Sequence, residues 1–240
     1  MAGRFYKYFF YASMLYALIH RVGTRGSSTD EEVDGSLPGD QIVPHPMLET
    51  THAVTINAAP AAVWPWLMQG GYGRAGWYTD AEWYKSLEKL ALPATVPAGE
   101  LHVGRLPRSP RTILPEFQNV KVGDIIPDGP PGSAWFTVVE LEENRTYALH
   151  SNSHIRYLTP TFLRGTAFAA SGDFSWTFVL APLQEGSTRL ILRTRATILP
   201  RLLKPLVQAP FYLLDYLIVR ELLHGVKSRV EATTTATATA

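Results

Sequence analysis

The 240-residue chain contains no cysteine. It therefore has no disulfide, no zinc–thiolate or iron–sulfur centre, and no cysteine nucleophile. A disulfide-stapled secreted scaffold is excluded. No charge sign is in excess either, with 22 Lys and Arg against 21 Asp and Glu. That balance excludes a nucleic-acid binder working through a broad basic face. The sequences G-x-S-x-G, H-E-x-x-H and G-K-[ST] are missing, so the common hydrolase, zincin and P-loop chemistries lack their signatures. No internal repeat occurs. The longest apolar candidate, Phe5–Val22, has 18 residues and carries Lys7, just short of the ~20 needed to cross a bilayer.

Hydrophobic residues make up 46% of the chain and charged residues 18%, the composition of a folded protein with a sizeable core. Residues 1–27 read as an apolar helix and linker. The helix is apolar on every side and so needs cover from protein or lipid. Its tyrosines suit a water–lipid boundary. Residues 28–50 read as a solvated strap, with an acidic run (Asp30, Glu31, Glu32, Asp34, Asp40) broken by prolines and glycine.

The body begins near Thr51. His52–Asn57 alternates like a strand, and Ala61–Met68 reads as a short helix limited by Pro65 and ended by Gly70 and Gly71. Residues 79–91 read as a helix. Strands are expected at Val120–Ile126, Trp135–Leu141, Thr146–His150, Phe174–Leu180 and Arg189–Ile198, the last two forming a hairpin. Phe211–Glu231 carries apolar residues at helical spacing and needs a large apolar partner. Residues 233–240 read as a disordered tail. The body, 51–232, is thus an α+β domain, a curved antiparallel sheet wrapped around one long C-terminal helix. Such a wrap leaves an apolar gap of the kind that holds small molecules.

Three stretches resemble the SRPBCC superfamily, which includes START-like lipid carriers and polyketide cyclases: "INAAPAAVWPWL" (Ile56–Leu67), "FSWTFVLAPLQEGSTRLILRTRA" (Phe174–Ala196) and "VRELLHGVKSRVE" (Val219–Glu231). "STDEEVDGSLPGDQIVP" (Ser28–Pro44) with "MQGGYGRAGWYT" (Met68–Thr79) resembles an uncharacterised branch with an extra N-terminal apolar helix. The resemblance implies a helix-grip fold with a hydrophobic cavity. It carries over no catalytic residue.

The cavity is expected to be lined by Trp77, Trp83, Trp135, Phe174, Trp176 and Phe178. Asp80, Tyr78 and His150 are the acid–base candidates, since desolvation by aromatic neighbours raises a carboxylate's pKa toward useful values. Arg189, Arg193 and Arg195 alternate with Leu190 and Leu192, so they face solvent, with Glu140 as a cross-sheet partner. Gly71-Tyr72-Gly73-Arg74-Ala75-Gly76 has G-x-G-x-x-G spacing but leaves a helix, not a strand, and reads as a flexible loop at the cavity mouth. His150 and His154 stand about 13 Å apart on an extended strand, with no neighbouring carboxylate, so no metal and no cofactor is expected.

The leading reading is a binder of a hydrophobic or aromatic small molecule, a lipid or polyketide-like metabolite. One alternative is a cyclase- or dehydratase-like enzyme using acid–base groups in the same cavity. The other is a membrane-attached accessory protein in which Phe5–Val22 makes the membrane contact. Membrane association through that helix is the expected location, with the cytoplasm as the alternative.

Overall fold

The computed structural model describes residues 2–79, 109–157, 159, 164, 166 and 169–238. The chain opens with α1 (Ala2–Arg25) and α2 (Asp30–Asp34), then β1 (Leu48–Ile56) and α3 (Pro60–Met68). β2 (Ile125–Pro127), β3 (Trp135–Glu142) and β4 (Thr146–Ser151) follow, then α4 (Ser153–Tyr157), β5 (Phe174–Pro182), β6 (Thr188–Ala196) and α5 (Lys204–Ala238). The six strands form one antiparallel sheet in the order β1-β6-β5-β4-β3-β2. With its long C-terminal helix, the arrangement is α+β and consistent with a helix-grip fold. The expected helix over 79–91 lies outside the described residues.

Strand alternation divides the sheet into two faces. One row of paired residues, Thr50, Thr194, Trp176, Leu149 and Val138, points toward α5. The row beside it, Glu49, Arg195, Ser175, His150 and Thr137, points the other way. α5 buries Tyr212, Asp215, Val219, Leu222, Leu223, Val226 and Val230. That spacing of three and four residues is one helical stripe, and each full aliphatic burial stabilises by roughly 1.5–3 kcal/mol. The helix is also fixed at its far end. Lys227 donates to the Thr55 carbonyl at 2.6 Å and pairs with Glu231, whose carboxylate accepts the Asn57 N–H. The tail expected to be disordered continues this helix to Ala238, and the Thr233, Thr234 and Thr235 hydroxyls donate to carbonyls four residues back.

The opposite face is not bare. The acidic segment expected to be solvated crosses it and meets the arginines expected to face water. Arg189 pairs with Glu32, and Arg195 bridges Asp40 and Glu49. Arg193 is only 2% exposed. It donates to Thr51 Oγ1, the Asp40 carboxylate and the carbonyls of Gly35, Glu32 and Val33. These five bonds match the five N–H donors of a guanidinium. Glu140 takes Gln41 instead of an arginine.

Thr29 caps α2 in a reciprocal box with Glu32, which holds that glutamate in place for Arg189. Burial pushes the Glu32 carboxyl upward. Hydrogen bonds from Arg189 and the Thr29 N–H outweigh this, and its pKa lies below the ordinary 4.5. A carboxyl held low by the fold stabilises it above its ordinary value, and the contribution fades as pH falls through the lowered one. The strap is therefore expected to loosen below about pH 4.5. Pepsin cleavage within residues 28–47 should rise relative to the body as the carboxylates protonate. A constant ratio would contradict the role given to this pair.

The Gly71–Gly76 loop closes on itself rather than standing open. Gly71 and Gly76 exchange backbone hydrogen bonds at 3.2 and 2.9 Å. Both have positive φ, +123° and +68°, a region that favours glycine. Arg74 folds inward, donating to the carbonyls of Met68, Gly70 and Phe117 and lying 4.5 Å over the Phe117 ring. Its guanidinium clasps the loop to the 114–118 segment, which leaves no phosphate cradle.

Candidate functional site

Between the sheet and the first half of α5 lies a cavity of about 320 Å³. Trp77, Phe174 and Trp176 form its wall on the sheet side. Val207, Pro210, Phe211, Leu214 and Ile218 form the helix side. The indole of Trp176 packs in an aromatic group, stacked 5.3 Å from Phe136 and edge-on to Trp77 at 5.4 Å.

The polar groups of the described wall are Asp128, His154 and Asp215. Asp128 sits in the turn before β3, where its N–H donates to the Ala134 carbonyl. One of its carboxylate oxygens accepts the Trp77 indole N–H, and the other lies 2.7 Å from His154 Nε2. His154 is in the first turn of α4, which starts where the Ser151 hydroxyl accepts the N–H groups of Ser153 and His154. Its ring lies between Phe136 at 4.3 Å and Phe174 at 4.9 Å. Its Nδ1 is 2.7 Å from Ser151 Oγ, which is 2.9 Å from Ser153 Oγ.

Both His154 ring nitrogens thus face protein groups, Asp128 at Nε2 and Ser151 at Nδ1. What the dyad offers a guest is the remaining lone pairs of the Asp128 carboxylate. Asp215 lies across the cavity on α5, accepting the Thr50 hydroxyl at 2.5 Å, with His52 Nε2 at 3.4 Å.

Of the residues expected at the site, Trp77, Phe174 and Trp176 line the cavity. Phe178 is buried further along β5, its ring 5.8 Å from Tyr147. Trp135 is turned away and 40% exposed, whereas its neighbour Phe136 is fully buried. Trp135 shares the outward parity of Thr137. Tyr78 does not line the cavity. Its hydroxyl donates to the Trp66 carbonyl at 2.5 Å, and Arg229 lies 4.9 Å over its ring. Burial pushes its ionisation far above the ordinary tyrosine value, so it acts as a neutral clasp between α3 and α5. His150 is on the outer face with Asp173 at 2.9 Å. Asp80 and Trp83 lie outside the described residues. Sequence reasoning missed Asp128, Asp215 and the pairing of His154. No spacing announces these, because 26 residues separate Asp128 from His154.

Among the described residues, one helical segment, Arg201–Ala236, is long and apolar enough to cross a membrane, with mean hydropathy 1.3 over its best window. The expectation fell on the other helix. α1 does not reach that threshold, and the buried Val219–Val230 turns of α5 are already committed to the core.

No family model and no curated protein matches the chain. Among solved structures it is similar to the hypothetical protein jhp0584 of Helicobacter pylori, at 12% identity over 80% of this chain and 94% of that one, TM-score 0.41. It is similar to a Thalictrum norcoclaurine synthase point mutant in complex with a transition-state analogue, at 11% identity over 78% and 95%, TM-score 0.37. CalU16 of Micromonospora echinospora is similar at 14% identity over 77% and 84%, TM-score 0.30. Likeness this distant leaves function to the site itself.

Proposed function

We propose that this protein binds a hydrophobic or aromatic small molecule between its sheet and the first half of α5. The observation that carries the reading is the cavity of about 320 Å³, with aromatic and aliphatic walls and a few convergent polar groups. That volume and lining are those of a small-molecule site. The described wall has two carboxylates and a histidine but no lysine or arginine, which favours a guest whose polar end donates hydrogen bonds. The lipid or polyketide-like metabolite implied by the sequence resemblance fits this description where it carries a hydroxyl. The Asp128–His154 pair at 2.7 Å in the same wall supports acid–base chemistry as the second reading. Contact with a membrane through α1 belongs to the same reading, since a carrier of apolar molecules loads from an apolar phase.

The test uses N-phenyl-1-naphthylamine, whose fluorescence rises in apolar surroundings. Leu214 is at the cavity wall yet 42% exposed, so Leu214→Trp can add bulk there with little strain on the core. Wild-type protein is expected to bind the probe saturably. Leu214→Trp should weaken binding at least tenfold, about 1.4 kcal/mol, with an unchanged melting temperature. Equal binding by both proteins would remove the cavity as the site. Mass spectrometry of molecules co-purifying with the wild type identifies the natural guest.

A further inference from the structure

α1 and α5 lie side by side and point the same way. Gly23 has no room for a Cβ against Tyr212, and the His20 ring is 5.1 Å from the Tyr212 ring. Just past the end of α1, Gly26 and Ser27 share a smaller cavity with Tyr216 and His224, further along α5. Residue numbers therefore rise together along the two helices. At 1.5 Å per residue, the start of α5 lies about 12 Å back from Tyr212, level with Met14 and Leu15. The earlier turns of α1 and the start of α5 thus emerge at one end of the molecule.

That end is apolar and uncovered. On α1, Phe10, Met14 and Leu18 recur every four residues, one stripe, and are 60%, 57% and 59% exposed. In the turn just before α5 and in its first turn, Leu202 and Leu206 are 71% and 72% exposed. Exposed apolar side chains on two neighbouring helix ends mark an interaction site. Charge is segregated along the same stretches of sequence. No Asp or Glu occurs in residues 1–29 or 186–214, whereas Arg21, Arg201 and Lys204 lie in those stretches. Glu49, near Tyr212, is already paired with Arg195. Cations in the segments that expose leucine and phenylalanine complement an anionic lipid surface, and the Tyr11 and Tyr16 side chains suit its headgroup layer.

We propose that α1 and the first half of α5 together form a docking face for an anionic lipid bilayer, lying in the interface rather than crossing it. Val207, Phe211 and Leu214, on the same half of α5, line the cavity. Docking therefore sets the cavity wall against the membrane. This deepens the carrier reading above and rests on it for the cavity's role, but not for the docking itself.

The experiment is flotation of the full chain with phosphatidylcholine vesicles, with and without phosphatidylserine. Wild type is expected to float with phosphatidylserine vesicles and to be released by high salt. Met14→Glu/Leu18→Glu and Leu202→Glu/Leu206→Glu should each lower the bound fraction at least about tenfold. Arg21→Glu/Lys204→Glu should remove the preference for phosphatidylserine. Circular dichroism melts confirm folding, and N-phenyl-1-naphthylamine binding without vesicles reports the cavity separately. Failure of wild type to float, or flotation of both glutamate pairs as well as wild type, overturns the proposal while leaving cavity binding standing. A wild-type dimer that the glutamate pairs convert to monomers, with no flotation, also overturns it and assigns the face to a second copy of the chain. Loss of probe binding with flotation intact overturns the carrier reading instead.

Discussion

Arg193→Ala is expected to lower the unfolding free energy by about 3–5 kcal/mol, the usual cost of removing one partner from a buried charged network. The size follows from what is stranded. Asp40 loses a buried partner, three strap carbonyls lose their donor, and Thr51 loses its bond. Total stability of a domain is typically about 5–15 kcal/mol, so a large share goes. Arg193→Lys should recover only part, since an ammonium is a point charge and cannot span the acceptors that a planar fork reaches. Urea unfolding measures the loss, and pepsin cleavage within residues 28–47 should rise as the strap lifts. A change below about 1 kcal/mol would mean that the strap is a surface decoration with no part in the fold.

This network also marks where sequence reading stops. Alternation along β6 places Arg189, Arg193 and Arg195 opposite Leu190 and Leu192, and the sheet keeps them there. The acidic run between Asp30 and Asp40 is equally plain in the sequence. Nothing in either pattern says that the two meet, because their pairing depends on the path of an irregular segment across a sheet face. The count gives no pairing either, since five acids in the run face three arginines on β6 and only Glu32 and Asp40 pair with them. β-strand periodicity also placed Phe174 and Trp176 on one face. It did not fix which of Trp135 and Phe136 turns inward, since one residue of register flips every side chain. Asp128 and His154 came together through a turn and a short helix, neither of which has a period to read.

Trp176→Ala is expected to cost about 3–5 kcal/mol, as large aromatic truncations in cores do. The side chain is 6% exposed and packs on Phe136, Trp77, Phe174 and Phe178. It is also cavity wall, so the lost indole becomes extra room for a guest. Trp66→Ala is the matched control. Trp66 is 1% exposed, packs on Tyr78 and does not line the cavity. Both variants should fall similarly in urea. They should then separate when N-phenyl-1-naphthylamine is added, because a ligand that binds only the folded form stabilises it by its occupancy, about 2.7 kcal/mol at one hundred times Kd. Trp66→Ala should bind the probe as wild type does and regain the full linkage stabilisation. Trp176→Ala should bind it with altered affinity and show a changed preference between small and bulky probes. Two variants with identical probe binding would mean that Trp176 belongs to the core alone, and that the space beside it is not where a guest sits.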